Sequence, residues 1–202
     1  MKSVESAKLR IREIIAGSQV PEDLTHAENT LQWLLRLDSQ ADSALQLAAF
    51  AHDIDRAIET RKVRRSDYSD YDAFKAAHAA NGATILREIL EECQVVSSLA
   101  DEVCLLVARH EFGGDGRADL LKEADSLSFF EVNLPFYYQR EGWEETQRRC
   151  AWGYSRLSER NKKKVKWIHV NRYTKNRLGC SGELALKGRG VIELKNQKSP
   201  AR

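Results

Sequence analysis

Four of this chain's five histidines fall on the apolar stripe of a predicted helix, and two aspartates do the same. In chain order they are His26, the doublet His52-Asp53, His78, His110 and Asp125. One inward histidine is commonly a hydrogen-bonded core residue. Six imidazoles and carboxylates from five helices are harder to bury, because a buried charge is costly unless it is paired or binds a metal. The helices must therefore bring these groups together, and a metal centre is the arrangement that satisfies them jointly.

The helical reading rests on period. Val4, Ala7, Ile11, Ile14 and Ile15 share a face of a first helix, Val4 to Ala16, ended by Gly17 and Ser18. Pro21 can open a second helix, where a missing N–H is harmless. Its inner stripe is read as Ala27, Leu31, Leu34 and Leu35, with His26 in the first turn. A third starts near Asp42 and places Leu45, Ala48, Ala49 and His52 at i, i+3, i+4 and i+7, with Asp53 beside them. A charged link, residues 59–71, is long for a helix–helix connection. Then come Phe74, Ala77, His78, Ile85 and Ile89 in a fourth helix, and Leu99, Val103, Leu106, Val107 and His110 in a fifth. Gly113, Gly114 and Gly116 break the fifth. A sixth begins near Asp119 and groups Leu121, Ala124, Asp125 and Ser128, and a seventh carries Trp143, Cys150, Tyr154 and Leu157. With three prolines and these periods, the expected fold is an all-α compact bundle.

Charge divides the chain unevenly. Residues 1–159 hold 19 Lys and Arg against 28 Asp and Glu, and residues 160–202 hold 13 against 2. The expected organisation is a helical domain over 1–159 and a basic C-terminal extension, partly disordered, over 160–202. The four cysteines form no C-x-x-C pair, and Cys93, Cys104 and Cys150 lie in helical patterns, so reduced, mostly buried thiols are expected. The charged N-terminus has no apolar h-region and no run of 18 apolar residues exists. These features suit a soluble cytoplasmic protein.

Imidazole with carboxylate suits Mn, Fe, Co, Ni or Zn rather than Ca or a thiolate-bound ion. Six ligands exceed the needs of one tetrahedral zinc. They suit two divalent metal ions with Asp53 as the bridge, and two ions roughly 3.5–4 Å apart can activate water and steady the oxygens of a displaced phosphate.

His26, His52-Asp53 and Asp125 follow the H…HD…D order of the HD-domain superfamily, which this chain resembles over about residues 20–135. His78 and His110 match the two extra histidines of its binuclear members, and AAFAHDIDR, LVARHEFGG and LLKEADSLSF supply similar contexts. The resemblance implies a compact all-α bundle and a metal-dependent phosphohydrolase acting on a nucleotide-like or other small phosphorylated substrate. Arg56 stands where many members carry Lys or Arg facing the substrate phosphate, so its guanidinium could clamp phosphate oxygens; the other reading is a surface arginine closing a helix. Asp55 departs from the resemblance, which commonly has Gly there. No GYP follows the doublet, which disfavours cyclic dinucleotide hydrolysis, and the E-D signature of alarmone hydrolases is missing. The same ligand order implies a second use, the di-iron oxygenases of the inositol-oxygenase type. A third reading keeps the metal as a staple in a binding module without catalysis.

Weaker signals complete the picture. Arg61, Arg64 and Arg65, with Lys62, could attract a phosphorylated substrate, or simply form a solvated loop. Tyr68 and Tyr71 could stack on a base or pack that loop down. Glu111 and Asp115 could orient a ligand histidine, although solvated acids in a turn are the commoner case. The basic extension could contact nucleic acid, with a solvated tail the favoured reading. His169 falls outside the constellation, and Trp143, Trp152 and Trp167 read as packing residues. No G-x-S-x-G, H-E-x-x-H or Walker loop is present.

Overall fold

The computed structural model describes residues 2–172, 182–187 and 191–196. The chain forms two compact units that divide between Asp125 and Ser126. The charge step at residue 160 falls inside the second unit, at the start of a helix.

The first unit holds α1 (Lys2–Ala16), α2 (Asp23–Leu37), α3 (Ser43–Ala51), α4 (Tyr71–Glu92), α5 (Ser97–Arg109) and α6 (Gly116–Ser128), the last crossing the division. Short 3-10 turns occupy Ile54–Ala57 and Arg65–Asp67. Ala7, Ile11 and Ile15 of α1 are buried at fourfold spacing, as an inward stripe requires. In α2 the buried stripe is Ala27, Thr30, Trp33 and Leu34, while Leu35 is 37% exposed. The expectation for Leu35 is therefore corrected: it lies about 100° around the helix from Leu34, and the indole of Trp33 takes the inner position.

Helix α3 is the centre of this unit. Seven of its nine residues are buried, four of them alanines that let neighbouring helices approach closely. Its N-cap Asp42 accepts from Leu45 N–H at 3.0 Å and also holds Arg117 of α6 through two bonds of 2.8 and 3.0 Å. Helix α3 packs on α2 and α5, and α4 lies along α5. Ile11, Leu34, Leu47, Ile54, Ile85, Leu86, Leu90 and Leu121 lose nearly all contact with water here. Burial of each such side chain contributes about 1.5–3 kcal/mol before conformational entropy is counted.

Turn chemistry fixes the helix ends around this core. The α4–α5 link closes with Val95 N–H on Leu90 O and Gln94 N–H on Glu91 O, both 2.9 Å, a Schellman motif in which Gln94 adopts φ 56°. Beyond α5, Gly113 has φ +77°, and a Cβ there would come within 1.9 Å of Asp119 Oδ1, so only glycine fits. Asp115 accepts from the N–H groups of Arg117 and Ala118 at 3.0 and 2.9 Å and opens α6.

In the second unit a π-helical turn, Phe129–Asn133, leads into α7 (Leu134–Ser155), which is kinked at Gly142, and then α8 (Glu159–Arg172). Both helices pack against the π turn. Phe130, Leu134, Cys150, Leu157, Val165 and Ile168 are buried. Strands β1 (Gly182–Lys187) and β2 (Val191–Asn196) pair antiparallel, Leu184 opposite Leu194. The all-α expectation holds, with this hairpin as the exception. Within the basic extension, residues 160–172 belong to α8, where Val165 and Ile168 supply a short apolar step. Cys180 and Tyr173, with the side chains of Trp167 and His169, lie outside the described residues. Cys93, Cys104 and Cys150 are free thiols, the last two buried. No helix among the described residues is long and apolar enough to cross a membrane.

Candidate metal centre

All six expected ligands converge in the first unit. His26 lies in the first turn of α2, His52 caps the C-terminus of α3, and Asp53 follows at φ −101° in the turn that leaves it. His78 lies midway along α4, His110 caps α5, and Asp125 lies on α6. The four histidines and Asp125 are 4% exposed or less.

They form two groups. In the first, His26 Nε2 lies 3.2 Å from His52 Nε2 and 3.2 Å from Asp125 Oδ1, and His52 Nε2 is 3.5 Å from the same oxygen. Asp53 Oδ2 faces both rings at 3.7 Å. In the second, Asp53 Oδ1 lies 2.9 Å from His78 Nε2 and 4.0 Å from His110 Nε2. Glu111 completes it, with Oε1 3.3 Å from His110 Nε2 and 3.7 Å from His78 Nε2. Asp53 therefore turns one carboxylate oxygen to each group.

These spacings fit a metal. First-shell bonds of about 2.0–2.2 Å place neighbouring ligand atoms roughly 3.0 Å apart in an octahedron and roughly 3.4 Å apart in a tetrahedron. The donor chemistry agrees. His52 Nδ1 bonds to Ala49 O at 2.9 Å and His110 Nδ1 to Val107 O at 2.7 Å. A carbonyl only accepts, so Nδ1 carries the proton in each ring and Nε2 presents its lone pair. Two buried Nε2 lone pairs among three carboxylates call for cations between them.

The electrostatics of the metal-free site show the same demand. Burial raises the Asp53 carboxyl, but His52, Arg56 and His78 outweigh it and hold the group well below the usual carboxylate range. Burial pushes His26 down. His52 is raised, because Asp53 and Asp125 outweigh its burial. Burial and Lys75 oppose the charge on His78, yet Asp55 and Asp53 prevail and push it up to about 9. In effect, the carboxylates favour positive charge at His52 and His78, as they would favour a cation.

Two site residues escaped the sequence reading. Glu111, read there as solvated, is 1% exposed and ion-paired to Lys75. The correction has a backbone cause: α5 stops at Arg109, and the turn that follows points both His110 and its neighbour inward. The available signal was Lys75, three residues before His78 on the same face of α4, a cation in need of a buried acid. Asp55 is also fully buried, with Oδ1 2.6 Å from His78 Nδ1. Asp115 is a helix cap, paired with Arg109 on the surface.

Arg56 reaches the site as a clamp between carboxylates. Its Nη1 lies 2.7 Å from Asp53 Oδ2 and its Nη2 2.8 Å from Asp23 Oδ1, and 30% of the side chain remains exposed. It is not a surface arginine closing a helix. Arg61 instead forms a two-bond pair with Glu88 on the surface, and Arg64 is exposed. Arg65 donates to Tyr68 O and covers the rings of Tyr71 and Phe74. Tyr68 and Tyr71 both contact Phe74, whose ring stacks 6.3 Å from His78. The two tyrosines thus pack the link onto α4, close to the second group.

Neither a curated protein nor a solved structure matches the chain. A family model described as Domain of unknown function (DUF4202) matches residues 7–178, a span that includes both donor groups with Asp55 and Arg56, and the chain belongs to that family.

Proposed function

We propose that this protein is a metal-dependent phosphohydrolase of the HD-domain type, acting on a nucleotide-like or other small phosphate ester. The observation that carries the reading is the division of Asp53, with Oδ2 facing His26 and His52 and Oδ1 facing His78 and His110. A carboxylate so placed can hold two ions side by side. His26, His52 and Asp125 would hold one with Asp53, and His78, His110 and Glu111 the other. When bound, two such ions supply the Lewis acidity that makes water nucleophilic near neutral pH and stabilises developing charge on phosphoryl oxygens.

The chain's own residues supply position and sign. His52 and His110 are locked by their main-chain bonds, so their Nε2 atoms face the site before any ion arrives. Arg56 holds Asp53 in its bridging orientation. Arg56 and Lys75 border the two groups and offset part of the negative charge of their carboxylates. With one face of its side chain still exposed, Arg56 is the candidate for phosphate contact. Arg61, Arg64 and Arg65 contribute at most to the wider field, since Arg61 is matched by Glu88.

The test is turnover without oxygen. Protein loaded with Mn²⁺, Co²⁺ or Ni²⁺ and offered a panel of phosphomonoesters and phosphodiesters under argon should release phosphate or a phosphomonoester. Turnover that requires iron and consumes O₂, with no hydrolysis across the panel, would replace this reading with an oxygenase. Stable metal with neither activity would leave a structural staple.

A further inference from the structure

His78 is held differently from the other oriented rings. His52 and His110 each end a helix, where a carbonyl three residues back is available to Nδ1. His78 lies inside the 22-residue α4, whose carbonyls are committed to the helix's own ladder. Its Nδ1 meets a carboxylate instead, Asp55 Oδ1 at 2.6 Å. That carboxylate is itself fixed. Asp55 is fully buried in the 3-10 turn after the doublet, and its Oδ2 faces Val63 N–H at 3.4 Å and Asn81 Nδ2 at 3.5 Å. Asn81, one turn beyond His78 on α4, also donates to Arg61 O at 2.8 Å. The turn, the link and α4 therefore meet on one side chain.

We propose that Asp55 is a positioning residue that sets metal affinity at the second donor group. The inference rests on the two-metal reading of this site. Asp55 would accept a hydrogen bond from Nδ1–H, keep Nε2 towards Asp53 Oδ1, and make the imidazole a stronger donor. Asp55 touches none of His26, His52 and Asp125 among the described contacts, so the first group stays as it is. In the first group His52 is tied to a main-chain carbonyl. In the second, His78 faces a charge instead, so a single substitution should separate the two groups. Losing a hydrogen-bonded partner behind a metal-bound histidine typically lowers affinity about 10–100-fold.

The experiment is a calorimetric titration of the metal-free full chain with Zn²⁺, comparing wild type with Asp55→Asn, His78→Ala and the double variant. Wild type should bind two ions. Asp55→Asn should keep one affinity and weaken the other about 10–100-fold. In the His78→Ala background, Asp55→Asn should change nothing further, which a merely structural role would not produce. Equal weakening of both ions, or an unchanged titration, would overturn the assignment. If Asp55→Asn does not fold, long-range ¹H–¹⁵N correlation spectra of Zn²⁺-loaded wild type decide instead. A protonated Nδ1 and a metal-bound Nε2 on His78 support the proposal, and the reverse tautomer overturns it. Fewer than two ions in wild type would defeat the two-metal reading itself, a result separate from an intact pair of sites indifferent to Asp55.

Discussion

Replacing Arg56 by Gln should destabilise the metal-free protein far more than the metal-loaded one. Arg56 lies 2.8 Å from Asp23, which is 4% exposed, and 2.7 Å from Asp53, which is 14% exposed. Removing one partner from a buried ionic cluster costs about 3–5 kcal/mol, because the remaining charges lose their compensation. Arg56 keeps 30% of its side chain in solvent, so the expected loss is lower, about 2–3 kcal/mol. Bound metal changes the sum. With two ions bound as proposed, Asp53 would gain cations on both oxygens and need Arg56 less, while Asp23 would still need it. The loss should fall to roughly half in loaded protein. Urea denaturation followed by circular dichroism, with chelator and then with saturating Mn²⁺, measures both values. Equal losses under the two conditions would refute the claim that Arg56 and metal stabilise the same carboxylate.

Further predictions follow from the same geometry. Metal uptake should release protons at neutral pH, because a ligand imidazole must be neutral and His78 is pushed up to about 9 in the metal-free site; calorimetry in buffers of different ionisation enthalpy reads this, and affinity should rise with pH until about 9. The sign for stability is opposite without metal: the contribution of a raised His78 is full below its unfolded value near 6.5 and is lost as pH rises through about 9, so the melting temperature of chelated protein should fall across that window. Glu111→Gln should weaken one ion and spare the other, and elemental analysis showing two ions held as tightly as in wild type would exclude it as a ligand. Gln94→Gly should stabilise the fold by about 0.5–1 kcal/mol, since the left-handed conformation at φ 56° costs a side-chain residue about 1–2 kcal/mol and glycine's extra unfolded entropy returns part of the gain; an unchanged or lower melting temperature would refute that.

The convergence of the candidate ligands was legible because helix period carries it. His26, His78 and Asp125 lie inside helices, and His52 and His110 at their last turns, so an inward phase predicted their convergence. Period stops working where helices stop. Asp55 and Glu111 lie in the turns after His52 and His110, and no repeat predicts which way a turn residue points. The same limit applies to Arg61. Its partner Glu88 is 27 residues away, and an ion pair of that separation leaves no local signature. Leu35 shows a smaller failure, where two adjacent leucines left the phase of α2 ambiguous and Trp33 decided it.

The most direct test of the account is the metal content of the full chain. Protein expressed and purified without chelator, saturated with Mn²⁺ and freed of excess ion, should hold two metal ions per chain by elemental analysis. Asp53→Ala, checked for folding by circular dichroism, should lose both or bind them far more weakly, since Asp53 faces every histidine of the two groups. A folded wild type that retains no metal, or an Asp53→Ala protein that retains two ions as tightly as wild type, would contradict the central claim.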